Sequence, residues 1–205
     1  MLLDQLLEKR DEASGLWRAY REGAICMVNS PRSKLLHKKA LLALLADGSL
    51  DLKEDEEERR LVDACLPWTR LVRPGSTTYQ ERTIDTLSYI LEHREHLALK
   101  PADDYGGKGV VLGWETSSDD WGRAVEVANE RPYVAQERVP MAQGEFPVWE
   151  DGGLRILPLL VDTNPLLFRG EMGGILTRTS SSALLNVSAG TGSAAPTFVV
   201  PEEGG

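Results

Sequence analysis

The segment that most restricts the fold of this chain is Leu99-Lys100-Pro101-Ala102-Asp103-Asp104-Tyr105-Gly106-Gly107-Lys108-Gly109-Val110-Val111-Leu112-Gly113. Pro101 and the dense glycines rule out a continuous helix, because proline lacks the backbone donor and glycine is the residue a helix interior tolerates least after proline. The apolar runs on either side are short and β-prone, so the segment is predicted to be a strand, a glycine-rich loop and a returning strand. Such a loop can close its backbone over a polyphosphate while the ammonium groups of Lys100 and Lys108 neutralise it. The spacing G-x-x-x-x-G-K-[ST] is absent, and Val110-Val111-Leu112 reads as strand where a dinucleotide fingerprint would need a helix. The plainer reading is a tight hairpin whose glycines serve only backbone geometry, with both lysines solvated.

A second segment bears on that choice. Tyr133-Val134-Ala135-Gln136-Glu137-Arg138-Val139 is predicted as a strand leading into a connector, one strand and one helix after the loop. A purine needs a backbone donor and acceptor, an acceptor for its exocyclic amine, and apolar flanks. Gln136, Glu137 and Val139 can supply these at a hinge. Taken alone, the segment reads equally as an ordinary sheet strand with exposed Gln and Glu.

The rest of the chain supplies a mixed scaffold. Apolar positions from Leu2 to Tyr20, broken near Ala13–Gly15, predict two short helices or one bent one. Ala24–Val28 reads as a buried strand, and Leu35, Leu36, Ala40, Leu41, Leu44 and Leu45 as the stripe of a helix ended by Asp47-Gly48. The acidic run from Lys53 to Arg60 suits the solvated start of a helix, whose positive end favours carboxylates. An extended segment at Leu66–Val72 and a helix over Thr77–His96 follow. Strands at Leu97–Lys100 and Val110–Trp114 and a helix at Asp119–Asn129 lead to the strand at Tyr133–Val139. Antiparallel strands then turn at Gly152-Gly153, Gly173-Gly174 and Gly190–Gly192, and a disordered tail is expected over Pro201–Gly205. The fold class is therefore α+β.

With 205 residues, 41% hydrophobic and 27% charged, the chain can bury an ordinary core. A net charge of -9 argues against broad electrostatic attachment to nucleic acid or an anionic membrane. No apolar run reaches the roughly 18 to 20 residues needed to span a bilayer. The pattern of Met1–Arg10 is that of an amphipathic helix, and a cytoplasmic location is expected. Cys26 and Cys65 are far apart and are expected to be small buried apolar residues. Together with His37, His93 and His96 they form no zinc spacing.

Lys39 on its leucine-rich helix, Leu66-Pro67-Trp68-Thr69-Arg70, Leu99-Lys100-Pro101 with its glycine loop, and Gln136-Glu137-Arg138-Val139 occur in an order that resembles the ATP-grasp superfamily. The stretch Asn29–Leu42, together with Gly174–Ser180 and Asn186–Gly190, is similar to circularly permuted members, the glutathionylspermidine synthetase-like proteins. The likeness runs from about Gly23 to Val200. It implies two α+β lobes with mixed and antiparallel sheets enclosing a nucleotide cleft. The lobes expected are 29–98 and 99–200, preceded by a helical segment and strand over 1–28 and followed by the tail 201–205. It also implies that Lys39 and Lys100 contact the phosphates of ATP, that Tyr105, Gly106, Gly107, Lys108 and Gly109 cover them, and that Gln136, Glu137 and Val139 hold the adenine. Arg178 would face the reacting phosphoryl group and Asn186 would line the same site.

The family's chemistry is phosphorylation of a carboxylate by ATP with Mg2+, followed by attack of an amine or thiol on the acyl phosphate. Its metal-binding carboxylates come from an Arg-x-Asp and a Glu-x-Asn pattern N-terminal to the matched part, and neither occurs in Met1–Val28. Asp162 and Asn164 are a candidate substitute, since i, i+2 side chains share a strand face, although Asp-Thr-Asn-Pro is also a turn signal. The expected function is an ATP-binding part of a carboxylate-amine or carboxylate-thiol ligase. Its substrates are not legible, its Mg2+ ligands are expected outside this chain, and a partner chain, a second copy or a missing N-terminal segment is expected to complete it. The alternatives are a nucleotide-binding module without catalysis and an α+β interaction domain whose loop binds nothing.

Overall fold

A computed structural model describes residues 3–48, 50, 55–183 and 192–198. In chain order the elements are helices α1 (Leu3–Glu8), α2 (Ser14–Arg21), α3 (Ser33–His37), α4 (Lys39–Ala46) and α5 (Glu56–Cys65), strands β1 (Thr69–Leu71), β2 (Ser76–Tyr79) and β3 (Arg82–Asp85), and helix α6 (Thr86–Glu92). Strands β4 (Leu97–Pro101) and β5 (Val111–Leu112), helix α7 (Ser118–Glu130), and strands β6 (Tyr133–Glu137), β7 (Ala142–Glu150), β8 (Gly153–Phe168), β9 (Glu171–Ser180) and β10 (Ser193–Ala195) complete the set. The chain is α+β, with antiparallel sheets, and it divides after Glu137 into two units. The first holds the described residues up to Asp104 together with Gly109–Glu137. The second holds Tyr105–Lys108 and the described residues from Arg138 onward.

The first unit is organised by the sheet β1-β6-β4-β5, paired antiparallel throughout. Strand alternation gives this sheet two distinct faces. Leu97, Leu99 and Ala135 point to one side, where they form the core with Ile90 of α6 and Trp121, Val125 and Ala128 of α7. Trp121 is the largest fully buried side chain, and its indole N–H donates to the Ile90 carbonyl at 3.0 Å, so its burial leaves no unmet donor. Truncating a leucine such as Leu99, which is fully buried, typically costs about 2–5 kcal/mol. Thr69, Ala98 and Val134 point to the opposite side and are buried as well, and α4 packs against β1 and β6. The helix starts follow from their caps: Asp55 and Glu58 form a reciprocal capping box at α5, and the Asp85 and Ser117 side chains cap α6 and α7.

The second unit is built on the sheet β10-β9-β8-β7. The long β8 pairs with β7 through its first half and with β9 through its second. Asp151-Gly152 and Arg169-Gly170, all at positive φ, make its two-residue hairpin turns.

Several expectations fail. Ala24–Val28 is an irregular, mostly exposed stretch because no described strand pairs with it. Cys26 lies on it, and Cys65 ends a helix that buries none of its side chains, so both cysteines are exposed. The leucine-rich helix is split at Lys38, whose extended backbone separates α3 from α4 and leaves Leu35 and Leu36 exposed. Only the end of the helix expected over Thr77–His96 is helical. Thr77, Thr78, Thr83 and Ile84 pair across the hairpin of β2 and β3 before α6 begins. Strand Val110–Trp114 is confined to Val111–Leu112. Gly173-Gly174 lies inside β9, not at a turn, and Val161–Pro165 lies within β8. The turn expected at Gly190–Gly192 and the tail Pro201–Gly205 lie wholly or mostly outside the described residues.

Candidate functional site

In the first unit, Lys39 begins α4 and Lys100 lies on β4. The chain fixes Lys39 through its backbone, whose N–H donates to the Ala102 carbonyl at 2.8 Å just past the end of β4. The Lys39 ammonium donates to the Asp104 carbonyl at 2.6 Å. The Lys100 ammonium donates to Gln136 Oε1 at 2.6 Å, and the Gln136 amide donates onward to Thr69 Oγ1 at 3.0 Å. Lys100, Gln136 and Thr69 share one sheet face because Ala98 and Thr69 both stand opposite Gln136 in the register.

Burial, and then the charge of Lys39, pulls the pKa of Lys100 below the usual 10.5 of a lysine. Burial is also the largest cause of the lowered pKa of Lys39, against an opposing pull from Asp104 and Asp103. These two cations sit close enough to feel each other, and each donates a hydrogen bond to a neutral oxygen. Such a pair has unspent positive potential, which an anion would relieve. Asp103 is engaged elsewhere. It takes hydrogen bonds from Lys34 at 2.7 Å and Lys38 at 2.9 Å, which hold its carboxyl down to about 2 and tie α3 to the end of β4.

Glu137 does not join this group. It follows Gln136 on the strand and so points to the other face, where it accepts from the Tyr79 hydroxyl at 3.0 Å. Thr69 and the tether of Lys34, Lys38 and Asp103 were missed by sequence reasoning. Lys34 and Lys38, at i, i+4 on a basic helix start, were the available signal.

The remaining candidates lie in the second unit, apart from Gly109. Gly106 and Gly107 take positive φ, and the Lys108 ammonium stands 5.4 Å from the centre of the exposed Tyr105 ring. Gly109 also has positive φ, and a Cβ there would come within 2.9 Å of both Pro101 and the Tyr133 hydroxyl. Val139 is exposed. Arg178 forms an ion pair with Asp162, its cross-strand neighbour, and its buried Nε has no hydrogen-bond partner among the described residues. Asn164 donates to Asp162 at 3.1 Å, so the Asp162 carboxylate is already held from two sides. Among the described residues no cluster of three His, Cys, Asp or Glu side chains is placed to hold a metal ion, and no helix is long and apolar enough to cross a membrane. Asn186 lies outside the described residues.

No family model matches the chain. Over 116 residues, 51% of its length, it is 31% identical to a Frankia casuarinae protein named "Putative glutamate--cysteine ligase 2-2", of which it covers 13%. That relative is a ligase by name. Over 194 residues, 87% of its length, the chain is 26% identical to the uncharacterized protein sll0335 of Synechocystis sp., of which it covers 36%. The chain thus spans about a tenth to a third of the curated relatives it matches.

Proposed function

We propose that this chain binds ATP as the nucleotide-holding part of an ATP-grasp ligase that joins a carboxylate to an amine or thiol through an acyl phosphate. The observation that carries the reading is the convergence of Lys39 and Lys100 from separate elements, both partly desolvated and both donating to neutral oxygens. Phosphate oxygens are the ligand that such a pair fits, since they accept charge-assisted hydrogen bonds and offset the repulsion between the ammonium groups. Gln136 orients Lys100 and is itself held by Thr69. Support also comes from the change of unit directly after Glu137, where the adenine-holding connector is expected, and from the ligase name of one relative. The roles of the glycine loop, Val139, Asn186 and Arg178 belong to the same proposal and are tested by mutation.

The described residues fit ATP better than they fit Mg2+. Asp162 is held by Arg178 and Asn164, and among the described residues no group of three His, Cys, Asp or Glu side chains is assembled for a cation. This favours a second reading, in which the chain is a nucleotide-binding module without catalysis of its own.

Thermal denaturation with and without ATP tests binding: ATP at about 100 times its Kd contributes about 2.7 kcal/mol, read as a raised Tm. Release of ADP and phosphate with Mg2+ and candidate acceptors separates the readings. Turnover by the chain alone supports the ligase, binding without turnover supports the module, and an unchanged Tm contradicts both.

A further inference from the structure

A cavity of about 290 Å3 opens at the outer edge of β1, and its lining includes Asp47, Arg70, Arg73, Ser76, Thr77 and Thr86. Arg70 is 6% exposed, yet its hydrogen bonds all go to neutral oxygens: Nε to Thr77 Oγ1 at 2.6 Å, Nη1 to the Thr69 carbonyl at 2.9 Å and Nη2 to the Thr78 carbonyl at 3.2 Å. A guanidinium carries five N–H groups, so one on each terminal nitrogen remains without an acceptor among the described residues. Buried charges in folded proteins are ordinarily paired, whereas the Arg70 guanidinium carbon stands 5.3 Å from the centre of the Trp68 ring, a cation–π contact that leaves its free N–H groups unmet. The charge of Asp47 pulls the Arg70 pKa up, but burial outweighs it and the pKa is lowered. Arg73, exposed on the loop that leads out of β1, adds a second cation, and the hydroxyls of Ser76, Thr77 and Thr86 add neutral donors.

We propose that this cavity binds a small oxyanion, the phosphoryl or carboxylate group of a small molecule, between Arg70, Arg73 and the hydroxyls of β2 and α6. The site is separate from the lysine pair. Arg70 stands opposite Ala135 and so points to the other sheet face from Lys100 and Gln136. It does not rest on the ATP reading, and the two fail independently.

Calorimetric titration with inorganic phosphate and with acetate, at constant ionic strength, tests it on a Lys39→Ala/Lys100→Ala background that removes the other cationic pair. Saturable binding is expected there, weakened about tenfold by adding Arg73→Ala, a change at an exposed loop position that leaves the circular dichroism unaltered. Phosphate alone binding assigns a phosphoryl group, and acetate binding assigns a carboxylate. Absence of saturable binding by either probe, or binding indifferent to Arg73→Ala, overturns the inference. Since Arg73→Ala retains the lysine pair, its ATP titration matches that of the wild-type chain whatever the outcome for the oxyanion.

Discussion

Lys100 pays for its position in stability and is expected to recover that cost in binding. Its ammonium is partly buried, and burial and Lys39 both push against the charged form. Replacing it by Met, which keeps the volume and removes the charge, should raise folding stability by about 1 kcal/mol in urea denaturation while weakening ATP binding. The lowered pKa also sets a pH dependence. Between the folded pKa and the ordinary 10.5 the unfolded chain holds the proton and the folded chain does not, so this lysine's penalty shrinks as pH rises through that window. An anion beside Lys100 favours the charged form, so ATP binding in the same window should take up protons and weaken with rising pH. Calorimetry in buffers of different ionisation heat reads this directly, and proton release would contradict it. Asp103 has the opposite sign. Its carboxyl is held down to about 2 by Lys34 and Lys38, so its contribution is complete above the ordinary 3.8 and is lost as pH falls through about 2. Because the group is exposed, Asp103→Asn should cost only about 0.5–1 kcal/mol at neutral pH, measured by urea denaturation.

Elements were legible where local composition announced them. The helix start in the acidic run from Lys53 to Arg60, the strand of Leu97–Lys100 and the helix over Asp119–Asn129 were expected from the sequence, and the structure contains each within a few residues. The hairpin of β2 and β3 was not legible, because its turn is Gln80-Glu81, two residues at positive φ where Asn-Gly would have signalled the reversal. Left-handed backbone costs such residues roughly 1–2 kcal/mol each. Replacing Gln80-Glu81 by Asn-Gly should therefore stabilise the chain by more than about 1 kcal/mol, seen as a higher urea midpoint at unchanged slope. The need for Gly113 was not legible in the sequence, since its constraint is a close approach from distant residues. A Cβ there would lie 2.0 Å from the Arg94 carbonyl oxygen and 2.8 Å from that of Leu97. Backbone atoms cannot turn aside as a side-chain end can, so Gly113→Ala should destabilise by roughly 1–3 kcal/mol or more. At the candidate site, type and order pointed to Lys39, Lys100 and Gln136. The pairing register then decided that Gln136 faces Lys100 while Glu137 faces Tyr79.

For the molecule as a whole, the two units differ in how they bury apolar surface. The first has a continuous core of sheet and helices, whereas the described residues of the second bury only Thr179 and Ser180 and leave Trp149, Leu154 and Ile156 exposed side by side across β7 and β8. Trp149 is 74% exposed, more than a large aromatic side chain ordinarily is in a monomer. The chain is expected to self-associate through this surface at micromolar concentrations. Sedimentation should show a monomer for Trp149→Lys/Ile156→Lys, and no difference between the two proteins would remove the surface from consideration. The proposed site has Lys39 and Lys100, from separate elements, holding one triphosphate. Calorimetric titration of ATP into the wild-type chain and into Lys39→Ala/Lys100→Ala tests this. Saturable binding is expected from the first and a loss of at least about a hundredfold from the second, with folding intact. Equal affinities, or no heat with either protein, would rule the site out.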